Sequence, residues 1–199
     1  MSPVLQLAST SPRRQEILRS LGLTFTVIAV EIDESRLEGE TPQQMVLRLA
    51  ANKAAAAAAV SEDSQLVIGA DTLVVLGDRV LGKPRGMDDA VEMLMKLSGR
   101  SHTVLTGVAL WSSTGITSAL SQTEVRFREI GRDEARAYWH SGEPCDKAGS
   151  YAIQGRGGTF VAAISGSYSG VVGLPVYELA ELLGNAGIGV VKKQTNATA

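Results

Sequence analysis

Cysteine, histidine and aromatic residues are scarce in this chain: it has one cysteine, two histidines, and aromatics at 5% of 199 residues. Cys145 alone forms no internal disulfide, and His102 and His140 stand far apart without cysteine companions, which excludes a structural zinc site. An excess of one charge is missing too. Charged residues make up 20% and the formal net charge is -2, so no broad surface attracts a polyanion and a nucleic-acid partner is not expected. The stretch without charge from Gly157 to Tyr177 is broken by glycines, serines and Pro175, and it predicts strands and turns where a membrane span would need unbroken apolar helix. The opening MSPVLQLASTSPRR lacks the basic start, apolar core and cleavage site of an export signal, which predicts a cytoplasmic protein.

What is present is a hydrophobic content of 44%, enough for one real core at this length. The expectation is one bilobed domain over residues 1–191, followed by a polar, disordered tail over 192–199. Hydrophobic period and breakers give alternating elements: a strand near Val4 to Ala8, a helix from Pro12 to Leu21, and a strand from Phe25 to Val30. Thr41, Pro42 and Gln44 form a capping-box helix start, and the alanine-rich run after it carries that helix to about Val60. Leu66 to Leu76 and Arg79 to Leu81 flank a tight polar turn and predict a hairpin. Asp88 is expected to cap a helix through Leu97. Strands near Thr103 to Trp111 and Gln122 to Phe127, a helix from Asp133 to His140, two glycine-flanked strands, and a last helix after Pro175 complete the reading.

Three places invite chemistry. In LASTSPRR, Leu7 to Arg14, a strand ends in three hydroxyl residues before Pro12 opens a helix. Backbone N–H groups at a helix start lack internal partners and carry partial positive charge, so Ser9, Ser11 and two arginines there suit phosphate. The alternative is that Ser11 merely caps the helix while Arg13 and Arg14 lie in solvent. Adjacent arginines in a helix point different ways, so one is free to bind while the other braces the fold. In IGADT, Ile68 to Thr72, a carboxylate interrupts an apolar strand, and Asp71 must therefore meet a metal, a cation or a polar cleft. In VEIDES, Val30 to Ser35, one of three acidic residues is placed to join Asp71 on a divalent ion. Lys53 falls near the inward edge of its helix, where lysines ordinarily snorkel to water, and Lys83 returns toward the end of the sheet that carries Asp71. The run Gly77 to Pro84, GDRVLGKP, imitates a phosphate-binding loop, but Pro84 supplies neither the hydroxyl for magnesium nor a backbone N–H.

Together LASTSPRR, the acidic DES, ANKA at Ala51 to Ala54, GADTLV at Gly69 to Val74, GKP at Gly82 to Pro84, DKAGSYAIQG at Asp146 to Gly155 and GSYSGVVGLPVYE at Gly166 to Glu178 resemble the Maf family, in order from about Leu5 to Leu183. The resemblance implies an α/β fold: a long twisted mixed β-sheet flanked by helices in two lobes with a central cleft, similar to inosine triphosphate pyrophosphatases. It further implies a homodimer that uses a divalent metal cation, Mg2+ or Mn2+, to cleave a nucleoside triphosphate to its monophosphate and pyrophosphate. SYAIQG followed by GSYSGVVGLP is similar to the branch acting on the pyrimidine nucleotides dTTP and UTP; a branch acting on methylated guanine nucleotides carries an acidic residue where Gln154 stands.

Residue by residue, the resemblance gives Asp71 as catalytic proton acceptor or metal ligand, with Glu34 beside it on the metal. Arg13, Thr72 and Gln154 govern base choice, Ser9, Arg14, Lys53 and Lys83 hold phosphates, and Asp146 and Lys147 form cleft wall. The chemistry fits this cast: breaking the α–β bridge raises charge on the departing pyrophosphate, and cations lower that barrier. An amide such as Gln154 offers both a donor and an acceptor to the edge of uracil or thymine. The alternatives are a non-catalytic nucleotide-binding regulator of cell division and a purine pyrophosphatase of ITP/XTP type.

Overall fold

A computed structural model of the chain describes residues 5–61 and 66–191. The expected start of the first strand at Val4 and the expected tail over 192–199 lie outside these residues. Among the described residues seven strands form one mixed sheet: β1 (Leu5–Leu7), β2 (Phe25–Val27), β3 (Leu66–Leu76), β4 (Arg79–Leu81), β5 (Ser101–Ser112), β6 (Gly115–Phe127) and β7 (Val161–Ser165). Their order is β2-β1-β3-β5-β6-β7, with β4 also on β3; β1 pairs in parallel with β2 and β3, and the remaining pairs are antiparallel. The α-helices of the described residues flank it: α1 (Pro12–Ser20), α2 (Pro42–Ala59), α3 (Met87–Leu97), α4 (Arg132–Trp139), α5 (Tyr168–Val172) and α6 (Val176–Asn185). Among the described residues no helix is long and apolar enough to cross a membrane.

Helix α2 begins as the sequence predicts. The Thr41 hydroxyl accepts from Gln44 N, and the Gln44 side chain accepts from Thr41 N, so both halves of the capping box are made. It then lies unusually close to the sheet, because Gly69 and Gly107 have no side chains: a Cβ on Gly69 would sit 2.1 Å from Ala50 O, and one on Gly107 would sit 2.6 Å from Val46 O. Val46, Leu49, Ala50, Ala54 and Ala57 are buried by that approach. Full burial of a residue such as Leu49 contributes roughly 1.5–3 kcal/mol.

Each face of β3 carries two core clusters divided by one polar residue. On the α2 face, Val67 packs with Ala50, Ala54 and Ala57, whereas Leu73 and Val75 pack with Met45, Val46 and Leu49; Asp71 lies between. On the opposite face Ile68 and Ala70 join the cluster of β1 and α6, whereas Val74 joins that of α3 and α4; Thr72 lies between. The alternation of a strand sends neighbours to opposite faces, so consecutive polar residues interrupt both cores at one level.

Several local expectations need correction. Strand β2 ends at Val27, short of Val30, and Ile28 and Val30 pack from the loop against the alanine cluster. Gly86, not Asp88, occupies the N-cap of α3; Asp88 and Asp89 lie in the first turn, where negative charge faces the positive helix end. Strand β6 begins at Gly115, not near Gln122, because its first half, Gly115 to Ser121, pairs with the second half of β5, Thr106 to Ser112. Of the two strands expected in the glycine-rich stretch only β7 forms. The second segment is α5, whose cap is the Ser167 hydroxyl accepting from Gly170 N at 3.0 Å.

Candidate active site

The cleft is a gap in strand pairing. β1 occupies one edge of β3 at Leu66–Ile68 and β4 occupies the same edge at Val74–Leu76, so residues 69–73 pair on one side only, with β5. A cavity of about 920 Å³ opens there, within the range that nucleotide-sized ligands fill. Ser9, Ser11, Arg13 and Arg14 line it from the start of α1, Glu34 from the loop after β2, Lys53 from α2, Asp71 and Thr72 from β3, Lys83 from the segment after β4, and Gln154 from the loop before β7. Every residue singled out in the sequence for chemistry therefore meets in one cleft. GDRVLGKP is the turn that follows β3, then β4 and the segment after it, and it contributes no helix start.

At the centre, Lys53 Nζ lies 2.6 Å from Asp71 Oδ1 and 2.6 Å from Glu34 Oε1. Asp71 is 8% exposed, and an unpaired carboxylate at that depth would be costly. Its partner is in reach because Lys53 follows Leu49 by one helical turn and Gly69 lets that helix sink onto the strand. Burial works against ionisation of Glu34, but the hydrogen bond and charge of Lys53, together with the charges of Lys83 and Arg14, hold the carboxyl below its ordinary range. Asp33, by contrast, turns its Oδ1 back to Ser35 N at 2.8 Å and shapes the loop.

The two arginines diverge as the helix requires. Arg14 braces: its Nε donates to Gly173 O at 2.8 Å, one Nη to the Ser9 hydroxyl at 3.2 Å and the other to the Thr72 hydroxyl at 3.4 Å. Of five guanidinium N–H groups two remain for a ligand. Burial lowers the pKa of Arg14, opposed by the charges of Asp71 and Glu34. Arg13 faces the other wall, where burial also lowers its pKa and Glu143, Tyr138 and Glu16 oppose the shift. Ser11 stands at the N-cap of α1, but its hydroxyl makes no capping hydrogen bond, and it lines the cleft. The Thr72 hydroxyl is held from behind by Thr106: Thr106 Oγ1 lies 3.1 Å from Thr72 Oγ1 and gives its one proton to Gly170 O at 2.7 Å, so the Thr72 hydroxyl donates to it.

Oxygen donors set what cation could sit here. Among the described residues no three His, Cys, Asp or Glu side chains are grouped to hold a metal. Glu34 and Asp71 nevertheless converge on one positive point, the Lys53 ammonium. One or two carboxylates completed by a ligand's phosphate oxygens and by water are a usual set for a Mg2+-class ion, and these two residues fit that donor chemistry.

One functional-looking group has no signal in the sequence. Glu143 follows α4, and its Oε1 accepts from the Tyr138 hydroxyl at 2.7 Å and from Gly157 N at 2.9 Å, while Oε2 accepts from Arg156 N at 2.9 Å. A single glutamate in a loop after Gly142 reads as solvated charge until the fold brings residues 156 and 157 to it. Asp146 and Lys147 pair with one another at the rim; burial, then the charges of Arg13 and Lys83, lower the pKa of Lys147.

Comparison with known proteins gives a consistent picture. The sequence model of the family described as Maf-like protein matches residues 4–186. A dTTP/UTP pyrophosphatase of Methylococcus capsulatus is 50% identical over 188 residues, covering 94% of this chain and 93% of that protein. A dTTP/UTP pyrophosphatase of Vibrio cholerae is 52% identical over 180 residues, covering 90% and 96%. Among solved structures, the Staphylococcus aureus Ham1 protein aligns with 64% of this chain and 72% of its own at 18% identity and a TM-score of 0.42.

Proposed function

The chain belongs to the Maf family, and on that premise we propose that it is a nucleoside triphosphate pyrophosphatase converting dTTP and UTP to the nucleoside monophosphate and pyrophosphate. The observation that carries the reading is the meeting of Glu34, Lys53 and Asp71, at contacts of 2.6 Å, beside the hydroxyls and arginines of the first turn of α1. A triphosphate brings several negative charges into a cleft that meets it with Arg14, Lys53, Lys83, Ser9 and Ser11. Arg13, Thr72 and Gln154 lie along the remaining walls and are assigned to the base.

In this reading Asp71 accepts the proton of the water that attacks the α-phosphorus in line with the leaving pyrophosphate. Lys53 compensates the charge of Asp71 and Glu34 before substrate arrives, and its flexible stem lets it turn to a phosphate oxygen afterwards. Charge that grows on the pyrophosphate is met by Lys83, Arg14 and the hydroxyls. Glu34 and Asp71 would hold the divalent cation, Mg2+ or Mn2+, which when bound neutralises phosphate charge and so lowers the barrier to attack. Gln154 presents an amide donor and acceptor to the polar edge of uracil or thymine, a pairing that a carboxylate at the same place would spoil. The proposal extends to a cytoplasmic homodimer built from one bilobed domain over residues 1–191, with no nucleic-acid or membrane partner.

The test is pyrophosphate release from UTP and dTTP with Mg2+ or Mn2+, run beside ITP, XTP and GTP. Release from the pyrimidine pair above the purines supports the proposal. Preference for ITP or XTP would move the chain to the purine type, and tight nucleotide binding without release would make it a regulator.

A further inference from the structure

Resting on the assignment of Gln154 to base choice, we propose that Tyr138 and Glu143 form a positioning unit that fixes the base-reading turn, and that selectivity for pyrimidines depends on it. Neither residue touches the Lys53 cluster. Their contacts go instead to the two ends of the segment that carries Gln154: Ala152 N donates to the Tyr138 hydroxyl at 3.1 Å, and Arg156 N and Gly157 N donate to the Glu143 carboxylate at 2.9 Å each. The Tyr138 hydroxyl donates in turn to Glu143 at 2.7 Å, so the two ends are tied to one another through a single phenol–carboxylate contact.

Ile153, Gln154 and Gly155 lie between these anchors, and Ile153 and Gln154 line the cleft. The anchors are rigid. Tyr138 is buried and meets the Phe160 ring edge-on at 5.0 Å, and a backbone N–H cannot rotate away from its acceptor as a side chain can. Glycine is required where the unit touches the turn. Gly155 has φ +128, and a Cβ there would fall 2.5 Å from Glu143 Oε2; a Cβ on Gly157 would fall 2.5 Å from the Tyr138 hydroxyl oxygen. A carboxylate suits the task because it accepts from three donors at once, with none of its own to repel them. Its charge also reaches Arg13, the second residue assigned to the base, and the two favour one another's ionised forms. The unit therefore bears on both sides of the base pocket and on neither group assigned to the bond being broken.

The experiment uses the full chain and steady-state kinetics with UTP, dTTP and ITP for Glu143→Gln, Tyr138→Phe, Gln154→Ala and the double variant Glu143→Gln with Gln154→Ala. The amide of Glu143→Gln places an NH2 against the Arg156 or Gly157 N–H and loosens the turn. The expected result is a rise of roughly 10-fold in KM for UTP and dTTP, with kcat changed by less than about threefold, as supporting partners of a binding group commonly give. The ratio of kcat/KM between UTP and ITP falls, Tyr138→Phe shifts it in the same direction, and in the Gln154→Ala background Glu143→Gln adds only the smaller part that acts through Arg13. Inhibition by inorganic pyrophosphate stays as it was. An equal fall in kcat for every nucleotide, or full additivity with Gln154→Ala, would overturn the inference. If Gln154→Ala alone leaves base preference intact, the assignment of Gln154 fails and the inference fails with it. If Gln154→Ala changes preference while Glu143→Gln and Tyr138→Phe do not, the inference alone fails.

Discussion

Asp71 and Glu143 each bring a carboxylate to the neighbourhood of the cleft, yet Asp71 meets an ammonium at 2.6 Å while Glu143 meets a phenol and two backbone amides. The partner of Asp71 rides on a four-carbon stem and is shared with Glu34, so it can exchange one anion for another when a phosphate arrives. The partners of Glu143 are fixed in the chain and cannot be exchanged without remodelling a turn. Polar contacts of similar length thus serve different ends, and the mobility of the donor separates machinery from framework. The same division runs through the fold: Asp71 lies where two core clusters part, whereas Tyr138 belongs to the interior of one.

The largest effect should come from the exchangeable contact. Asp71→Asn removes the proton acceptor and is expected to lower pyrophosphate release from UTP on the order of 10²-fold or more. Lys53 keeps Glu34 in that variant, so folding stability should move by less than about 1 kcal/mol. A near-normal rate at saturating metal would remove Asp71 from the chemistry. Glu143→Ala should behave in the opposite sense. It strands the Tyr138 hydroxyl and two amides and is expected to cost about 2 kcal/mol in urea unfolding, while kcat falls less than about tenfold. A variant that unfolds normally but has lost turnover would erase the distinction between the two carboxylates.

A third polar contact extends the comparison to a group kept neutral. His102 is buried on β5, its Nε2 is 2.9 Å from the Tyr151 hydroxyl, and burial pushes its pKa down to about 4. The folded pKa lies below the unfolded value of 6.5, so the unfolded chain takes up the proton first as pH falls. Stability is complete above about pH 6.5 and is lost progressively toward pH 4. Between pH 7 and 5 the loss should be about 2 kcal/mol. Urea melts across that range check it, and His102→Leu should flatten the curve whatever its effect on the absolute value.

Much of this was legible in the residues because local chemistry and tertiary context agreed. Thr41, Pro42 and Gln44 announce a helix start that needs no partner elsewhere, and Asp71 announces a polar cleft because a carboxylate cannot sit unpaired in an apolar strand. What was not legible depended on distant backbone. Glu143 acquires its meaning from amides 13 and 14 residues away. The first half of β6 carries little apolar pattern and is a strand because β5 offers it a ladder. Helix α5 forms in a glycine-rich run that reads as strand and turn, since the pattern is silent about the Ser167 cap and the packing of Gly170 against Thr106. Asp88 misled for the opposite reason: an acidic residue near a helix start suits the cap and the first turn alike, and only backbone geometry separates them.

The smallest effect is expected where an ion pair has neither burial nor convergence. Arg85 Nε lies 3.4 Å from Asp89 Oδ2, and the arginine side chain is 90% exposed, against 13% for Lys53. Water screens such a pair, and holding a long side chain in one place costs entropy, so its contribution is at most a few tenths of a kcal/mol. Asp89 Oδ2 also accepts from Arg85 N at 3.1 Å. That backbone contact survives Arg85→Ala and continues to hold the start of α3. The variant is therefore expected to change unfolding free energy by less than about 0.5 kcal/mol and pyrophosphate release by less than about twofold. A larger loss of stability, read by urea melts at low and high salt, would mean that a solvated cation was anchoring this turn and that donor mobility is the wrong criterion for telling framework from machinery.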